Sequence, residues 1–292
     1  MNKLGSVKVG GTNPVRIMGI INTSPESFYK KSIKTKKNEI VDAIRKMDQD
    51  GADFVDIGGM STAPYLSTLV SEKIEKKRII EAIKIIQKVS NLPISVDTCR
   101  ASVAKQTLEY GVEIINDISG LKYDKNMLKV IKEFQPSLIL SAFSKKTVSG
   151  NLLRETKELL KHSLQLAKSA GVPTKKIVLD PAIGFFRKSG KGQFFTKINS
   201  DWVKRDLLIL QNLKSIKLGL PIMVSVSNKS FIGKLLKKNH SDRIYGSLAA
   251  ELFSVINGAD VIRTHNVGQI KDALVIAERL AQKKTGKAYN TS

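Results

Sequence analysis

Eight short apolar runs, each followed by a longer amphipathic stretch, constrain the fold of this chain most strongly. The runs are VRIMGIIN (15–22), ADFVDIGG (52–59), PISVDT (93–98), VEIINDI (112–118), SLILSAF (137–143), KIVLDPAIG (176–184), PIMVSVS (221–227) and ADVIRTH (259–265). Runs that are apolar almost throughout are typical of parallel strands covered on both faces. Eight such repeats predict an α/β fold, a (β/α)8 TIM barrel in a single domain, with an open doubly wound sheet as the alternative.

Length and cysteine content fit this architecture. The 292 residues are 41% hydrophobic, enough for one large core. We expect an N-terminal segment at 1–14, the barrel at 15–283 and a loose C-terminal tail at 284–292, with a long loop at 185–202. Cys99 is the only cysteine, so no intramolecular disulfide can form, and a cytoplasmic location is expected.

The net charge of +23 raises the question of a polyanionic partner. A positive field can attract nucleic acid or a phosphorylated metabolite, whereas scattered lysines on helix faces need no partner. The lysines here occur in separate segments without interleaved aromatic residues, which favours the second interpretation. No apolar run is long enough to span a membrane. We therefore expect small-molecule substrates, with neither nucleic acid nor membrane as partner.

Polar residues stand near the C-terminal ends of seven of the eight runs. They include Asn22, Asp56, Asp97, Asn116, Asp180, Lys229, Arg263 and His265. Each has a structural alternative as a helix cap, a turn residue or a buried partner. In a barrel, however, the strand ends share one rim, where active sites lie. Carboxylates and amides together favour a planar heterocycle with N–H donors, and the basic residues favour an adjacent phosphate.

Seven stretches, in order, resemble the dihydropteroate synthase family and its pterin-binding relatives. They are IMGIINTSPESF, GADFVDIGGMST, SVDT, IINDISG, LDPAIGF, SNKSFIG and IRTHNV, and the resemblance as a whole runs from about Arg16 to Leu280. Folate-binding homocysteine methyltransferases share the barrel but are not expected to share the SNKSF-like stretch. An archaeal-type relative is the form expected within the family.

The resemblance implies a transferase that joins 6-hydroxymethyl-7,8-dihydropterin diphosphate to an arylamine and releases pyrophosphate. It assigns the pterin to Asp97, Asn116, Asp180 and Lys229, the diphosphate to Asn22, Arg263 and His265, and the second substrate to Thr62 and Ser230. Lys229, Asp97 and Arg263 are the implied catalytic residues. Asn22 is the implied metal ligand, for Mg²⁺. Residues 23–31 are expected to form a mobile loop over the site, and a homodimer is expected because family members commonly form one.

Two departures from the family pattern leave the second substrate open. Ala63 stands where the second-strand motif usually has arginine, and Asn228 replaces the usual arginine before Lys229. The arylamine is therefore either p-aminobenzoate, for folate synthesis, or a ribosylaminobenzene phosphate, for tetrahydromethanopterin synthesis. The alternative function is a pterin-binding protein or methyltransferase partner without condensing activity.

Overall fold

Eight parallel strands form one curved sheet, the interior of a (β/α)8 barrel. The computed structural model describes residues 1–25, 33–65 and 69–281. The barrel strands are β3 (Arg16–Asn22), β4 (Phe54–Gly58), β5 (Ile94–Asp97), β6 (Ile114–Asp117), β7 (Ser137–Ser141), β8 (Ile177–Asp180), β11 (Met223–Val224) and β12 (Val261–Thr264). Their order is β11-β12-β3-β4-β5-β6-β7-β8, and a parallel bridge between Leu179 and Ile222 brings the two ends together. All eight predicted strands and the barrel are confirmed, with shorter strands than predicted.

Helices lie between the barrel strands in sequence and pack around them. They are α1 (Lys37–Gln49), α2 (Glu72–Ile86), α3 (Ala101–Glu109), α4 (Met127–Phe134), α5 (Leu152–Ser169), α6 (Trp202–Gln211), α7 (Leu213–Ile216), α8 (Ser230–Leu236), α9 (Ile244–Ile256) and α10 (Val267–Ala281). Helix α2 shows why these segments fold as they do. Ser71 caps it by accepting a hydrogen bond from the backbone N–H of Ile74, and Ile79, Ile83 and Ile86 bury one face. No helix of the described ranges is long and apolar enough to cross a membrane.

A short hairpin that was not predicted closes one end of the barrel. Strands β1 (Lys3–Leu4) and β2 (Val7–Lys8) pair antiparallel within the expected N-terminal segment. Leu4 and Val9 are buried in a cluster with one residue from each of seven barrel strands: Met18, Phe54, Ile114, Ile139, Val178, Met223 and Val261. The backbone N–H of Gly5 also donates to Ser137 Oγ at the start of β7. The hairpin therefore covers the N-terminal ends of the strands, opposite the rim where the polar residues lie.

The segment 185–202 is only partly the loop that was predicted. Strands β9 (Phe186–Arg187) and β10 (Thr196–Lys197) pair in parallel within it, and α6 begins at Trp202. The backbone N–H groups of Lys191 and Gly192 both donate to the carbonyl of Pro64. This segment is thus attached to the loop after β4.

Two predicted features lie wholly or largely outside the described residues. The tail at 284–292 is outside them, and so is most of the loop at 23–31. The boundaries after residues 14 and 283 stay predictions.

Candidate active site

One cavity at the C-terminal ends of the strands brings together most of the predicted site residues. It encloses about 700 Å³ including its open mouth. Seven of the nine predicted residues line it: Asn22, Thr62, Asp97, Lys229, Ser230, Arg263 and His265. The other two are adjacent. Asn116 pairs with Asp97 in the β5–β6 register, and Asp180 ends β8, close enough to Lys229 and Arg263 to affect their pKa values.

Arg263 connects two carboxylates at the base of this cavity. Its Nε donates to Asp56 Oδ2 at 2.6 Å, and its Nη2 donates to Asp97 Oδ2 at 3.0 Å. Asn116 Nδ2 donates to the same Asp56 oxygen at 3.2 Å. Asp56 therefore holds both a predicted pterin residue and a predicted diphosphate residue. From the sequence, Asp56 was predicted only as a residue that could orient another group, because its partners lie 60 and 207 positions away.

Burial changes the protonation of the groups around the cavity. Burial raises the pKa of Asp97 to about 7, with Arg263 opposing the shift and Asp56 adding to it. Burial also raises the pKa of Asp180, against the effect of Lys229. Burial and the neighbouring Arg263 lower the pKa of Lys229 to about 8. Charged groups poised near neutral pH in a cleft are characteristic of a functional site.

His265 is neutral in this arrangement. Burial, together with the charges of Arg263 and Lys229, lowers the pKa of its ring to about 3. The ring nitrogen Nδ1 lies 3.0 Å from Ser227 Oγ, and the backbone N–H of His265 donates to the same oxygen. A neutral imidazole offers a diphosphate a hydrogen bond rather than a positive charge, so Arg263 and Lys229 are the cations at this end of the cavity.

Lys229 is positioned by its packing against a tight turn after β8. Its Nζ lies 4.1 Å from the centre of the Phe185 ring. Gly184 has φ +83°, and a Cβ there would come within 2.9 Å of Lys229 Cδ. Asp180 Oδ1 starts the turn by accepting from the backbone N–H of Ala182 at 2.7 Å. From the sequence, Asp180 could either start a turn or bind a ligand. The structure allows Asp180 to do both.

Arg187 and Tyr65 complete the rim on the side predicted for the second substrate. Both line the cavity beside Thr62, Ala63 and Ser230. Arg187 Nη2 donates to Ser230 Oγ at 2.5 Å, and its guanidinium carbon lies 3.6 Å from the centre of the Trp202 ring. Arg187 was not among the predicted site residues, because its segment was interpreted as a loop. Its position shortly after the LDPAIGF stretch was the available signal.

The described residues provide no cage for a resident metal ion. Within residues 1–25, 33–65 and 69–281, no three His, Cys, Asp or Glu side chains lie close enough together to hold one. Asn22, at the end of β3, lines the cavity, and its side chain contains one amide oxygen. Mg²⁺ is commonly held by one or two protein oxygens plus substrate phosphates and water. Asn22 therefore fits a magnesium ion that arrives with a diphosphate.

A closed α/β barrel with titratable groups gathered at the C-terminal rim defines an enzyme of the barrel class. The profile of the family described as "pterin binding enzyme" matches residues 18–265. The chain belongs to this pterin-binding enzyme family. It is 36% identical to the dihydropteroate synthase of Clostridium beijerinckii, over 91% of this chain and 94% of that protein.

Solved structures agree with this assignment. The dihydropteroate synthase of Clostridium difficile, determined in the presence of pteroic acid, superposes with a TM-score of 0.81 at 32% identity, over 97% of this chain and all of that one. The enzyme of Xanthomonas albilineans, determined with 4-aminobenzoic acid, gives 0.81 at 27% identity, over 93% and 94% of the two chains. The predicted class, a transferase of alkyl or aryl groups of the dihydropteroate synthase type, is confirmed. The archaeal-type placement stays a prediction.

Proposed function

We propose that this protein condenses 6-hydroxymethyl-7,8-dihydropterin diphosphate with p-aminobenzoate and releases pyrophosphate in folate biosynthesis. The observation that carries the proposal is the convergence of Asp97, Asn116 and Asp180 with Lys229 and Arg263 at one rim. The relative from Xanthomonas albilineans, whose structure contains 4-aminobenzoic acid, favours p-aminobenzoate over the ribosylated phosphate.

The acids and amide are suited to hold the pterin ring. Its N–C–N edge presents paired N–H donors, for which carboxylates are the strongest acceptors. In the structure Arg263 occupies one oxygen of Asp97, while the other oxygen, Oδ1, is buried without a hydrogen-bond partner. Such an orphaned acceptor costs free energy until a donor reaches it. A pterin N–H is the donor that the proposed function supplies.

The basic residues are suited to stabilise the leaving group. The bond between the methylene carbon and the diphosphate oxygen breaks, and its electron pair leaves with pyrophosphate. The arylamine nitrogen supplies the pair for the new C–N bond and then loses a proton to solvent or to the departing phosphate. Negative charge that develops on the diphosphate is stabilised by Arg263 and by protonated Lys229, with a hydrogen bond from His265.

Magnesium is part of the proposal, with Asn22 as its protein ligand. When bound, Mg²⁺ would neutralise charge on the diphosphate oxygens. Neither Cys99, which is buried, nor a covalent intermediate is required. A cytoplasmic location, expected from the single cysteine, is also proposed here.

Pyrophosphate release tests the proposal. Dihydropterin diphosphate and Mg²⁺ would be offered with p-aminobenzoate, with the ribosylaminobenzene phosphate, and with neither. We expect release with p-aminobenzoate, and loss of release in Asp97→Asn and Lys229→Ala. The exposed substitutions Asp42→Asn and Lys129→Ala serve as matched controls. Tight pterin binding without release under any condition would instead support the pterin-binding protein that lacks condensing activity.

We further propose that the protein forms a homodimer through the face of α9 and α10. Large apolar side chains are exposed there, including Tyr245, Ile256, Ile276 and Leu280. Exposed apolar patches commonly mark interfaces between proteins. Sedimentation velocity should give a dimer for the wild type and for Lys129→Asp, and a monomer for Ile276→Asp. A monomeric wild type at micromolar concentration would contradict this proposal.

A further inference from the structure

Arg205 and Asp206 form a buried ion pair on α6, outside the lining of the rim cavity. Arg205 Nη1 lies 3.0 Å from Asp206 Oδ1, and both side chains are fully shielded from solvent. Burying two charges costs free energy, and an apolar pair of similar volume is often at least as stable in proteins. Stability alone therefore does not account for this pair.

The pair holds the backbone of the turn between β8 and β9. Arg205 Nη2 donates to the carbonyl of Pro181 at 2.7 Å, and Nη1 donates to the carbonyl of Ala182 at 3.3 Å. Asp206 Oδ2 accepts from the backbone N–H of Gly184 at 3.0 Å. Two carbonyls and one amide of the same turn are thus bound by one ion pair.

Arg205 is itself held in place by α5 and β9. Its Nη2 donates to Thr156 Oγ1 at 3.0 Å, and its guanidinium carbon lies 3.6 Å from the centre of the Phe186 ring. Thr156 Oγ1 in turn donates to the carbonyl of Leu152 at 2.7 Å. Arg205 Nε is buried without a hydrogen-bond partner. Because the planar guanidinium is fixed on its face and at its end, it presents a rigid pair of donors to the turn.

The turn needs such support because two of its residues have left-handed backbone. Ala182 has φ +56° and Gly184 has φ +83°. Glycine adopts this conformation freely, whereas alanine is strained there by its Cβ. Strained backbone persists only where the surrounding contacts hold it. Arg205 supplies one of those contacts at the carbonyl of Ala182 itself.

Each of these two turn residues also contacts a residue of the active site. The backbone N–H of Ala182 donates to Asp180 Oδ1 at 2.7 Å, while its carbonyl accepts from the guanidinium of the pair. Gly184 packs so closely on Lys229 that a Cβ would come within 2.9 Å of Lys229 Cδ, while its N–H donates to the carboxylate of the pair. A single residue therefore links the ion pair to Asp180, and another links it to Lys229.

An ion pair with the same kind of contacts lies at the opposite end of the barrel strands. Arg16 Nη1 donates to Asp53 Oδ1 at 2.9 Å, and Asp53 Oδ2 accepts from the backbone N–H of Ile17 at 2.9 Å. Arg16 stands at the start of β3, and Asp53 directly precedes β4. The Arg16–Asp53 pair is partly exposed, and it provides a control that removes two charges and a backbone contact away from the turn.

We propose that Arg205 and Asp206 are positioning residues for the pterin site. They hold the turn at 181–184 in the shape that directs Asp180 and supports Lys229. This inference rests on the proposed function and extends it to two residues outside the cavity. Without the pair, the strained turn relaxes, the carboxylate of Asp180 loses its fixed direction and Lys229 loses the surface on which it packs. The consequence is weaker binding of the pterin substrate.

Two double variants test the proposal. Arg205→Met with Asp206→Leu replaces the pair by apolar side chains, whereas Arg205→Gln with Asp206→Asn removes both charges and keeps a donor and an acceptor for the turn. Arg16→Met with Asp53→Leu is the control. Kd for 6-hydroxymethyl-7,8-dihydropterin diphosphate would be measured by calorimetry with Mg²⁺ and no amine, and KM for each substrate by pyrophosphate release.

The apolar variant should raise Kd and KM for the pterin diphosphate roughly tenfold to a hundredfold, as expected for displaced site residues. KM for p-aminobenzoate should stay within about twofold, and Arg205→Gln with Asp206→Asn should recover part of the loss. The control should lose stability in urea but bind the pterin diphosphate as the wild type does. A folded apolar variant with wild-type affinity for the pterin diphosphate would overturn the proposal, and so would an equal loss of affinity in the control.

Hydrogen exchange of the ligand-free protein gives a second measurement, which decides the question if the apolar variant does not fold. Arg205→Lys keeps the charge but offers the turn one nitrogen in place of two. Amides of the turn at 181–184 should exchange at least about tenfold faster in this variant than in the wild type, with exchange in β3 unchanged. Unchanged exchange in the turn would contradict the proposed role of the pair.

The inference and the proposed function fail separately. If the wild type binds the pterin diphosphate but releases no pyrophosphate with any amine, the proposed function fails, and a Kd that depends on the ion pair still supports the inference. If the wild type turns over and the apolar variant matches it in affinity for the pterin diphosphate, the inference fails and the proposed function stands.

Discussion

Replacing Arg263 with methionine tests the charge network beneath the cavity. The substitution leaves Asp56 and Asp97 without the guanidinium that donates to each at 2.6 and 3.0 Å. Removing one partner of a buried ion pair typically costs about 3–5 kcal/mol, because the remaining charge is left uncompensated. We therefore expect Arg263→Met to lose about 3–5 kcal/mol of unfolding free energy at pH 8, measured by reversible urea denaturation. The exposed Arg154→Met should change it by less than about 0.5 kcal/mol.

The loss should depend on pH in a defined direction. The folded pKa of Asp97 is raised from 3.8 to about 7, so the native state binds more protons than the unfolded state between these values. Stability contributed by this group is therefore greatest at low pH and falls as pH rises through that window. Arg263 lowers the pKa of Asp97, so its removal extends the window upward. The destabilisation by Arg263→Met should thus be larger at pH 8 than at pH 5.

A double substitution completes this test. Arg263→Met combined with Asp56→Asn leaves only Asp97, which can become neutral by binding a proton. The double variant should recover at least half of the stability that Arg263→Met loses at pH 8. A loss below about 1 kcal/mol, or a loss that is independent of pH and unaffected by Asp56→Asn, would refute the proposed pairing.

Three further predictions follow from the structure. The pH profile of kcat/KM should be bell-shaped: it should rise near pH 7 as Asp97 ionises and fall near pH 8 as Lys229 loses its proton. A profile that is flat from pH 6 to 9 would contradict these two assignments. Gly184→Ala should lower stability by about 1–2 kcal/mol and raise KM for the pterin substrate, because the new Cβ meets the Lys229 side chain. The control Gly150→Ala, at φ +84° with open space around it, should lower stability without changing KM. If both variants raised KM equally, the contact between the new Cβ at position 184 and Lys229 could not be the cause. Leu4→Ala should cost about 2–5 kcal/mol in urea unfolding, and an unchanged stability would show that the hairpin does not help to fill the barrel.

The sequence predicted the repeating architecture because each strand carries its own local signal. Continuous Ile and Val runs identified all eight strands, and the shared rim of a barrel then grouped Asn22, Asp97 and Lys229 without any coordinates. The hairpin at Lys3–Lys8 was missed because strands of two residues are too short to show a periodicity.

The connections between site residues could not be predicted in the same way. Arg263 and Asp56 are 207 positions apart, and nothing local to either residue indicates the hydrogen bond between them. Arg187 owes its burial to Trp202 and Ser230, which come from later elements of the chain. Only the packed structure shows that its guanidinium forms no ion pair with a carboxylate of the described residues.

The hairpin of β1 and β2 leaves the C-terminal rim as the accessible end of the barrel. Leu4 and Val9 are buried at the opposite end against residues of seven strands, so a ligand of the rim cavity enters and leaves on one side only. Asp97 and Asp180, the predicted pterin-binding acids, lie at the ends of barrel strands β5 and β8, whereas Thr62 lies in the segment that follows β4. If the arylamine binds at Thr62, it would lie between the pterin and solvent, and we would then expect the pterin diphosphate to bind first, the amine second and the condensed product to leave last.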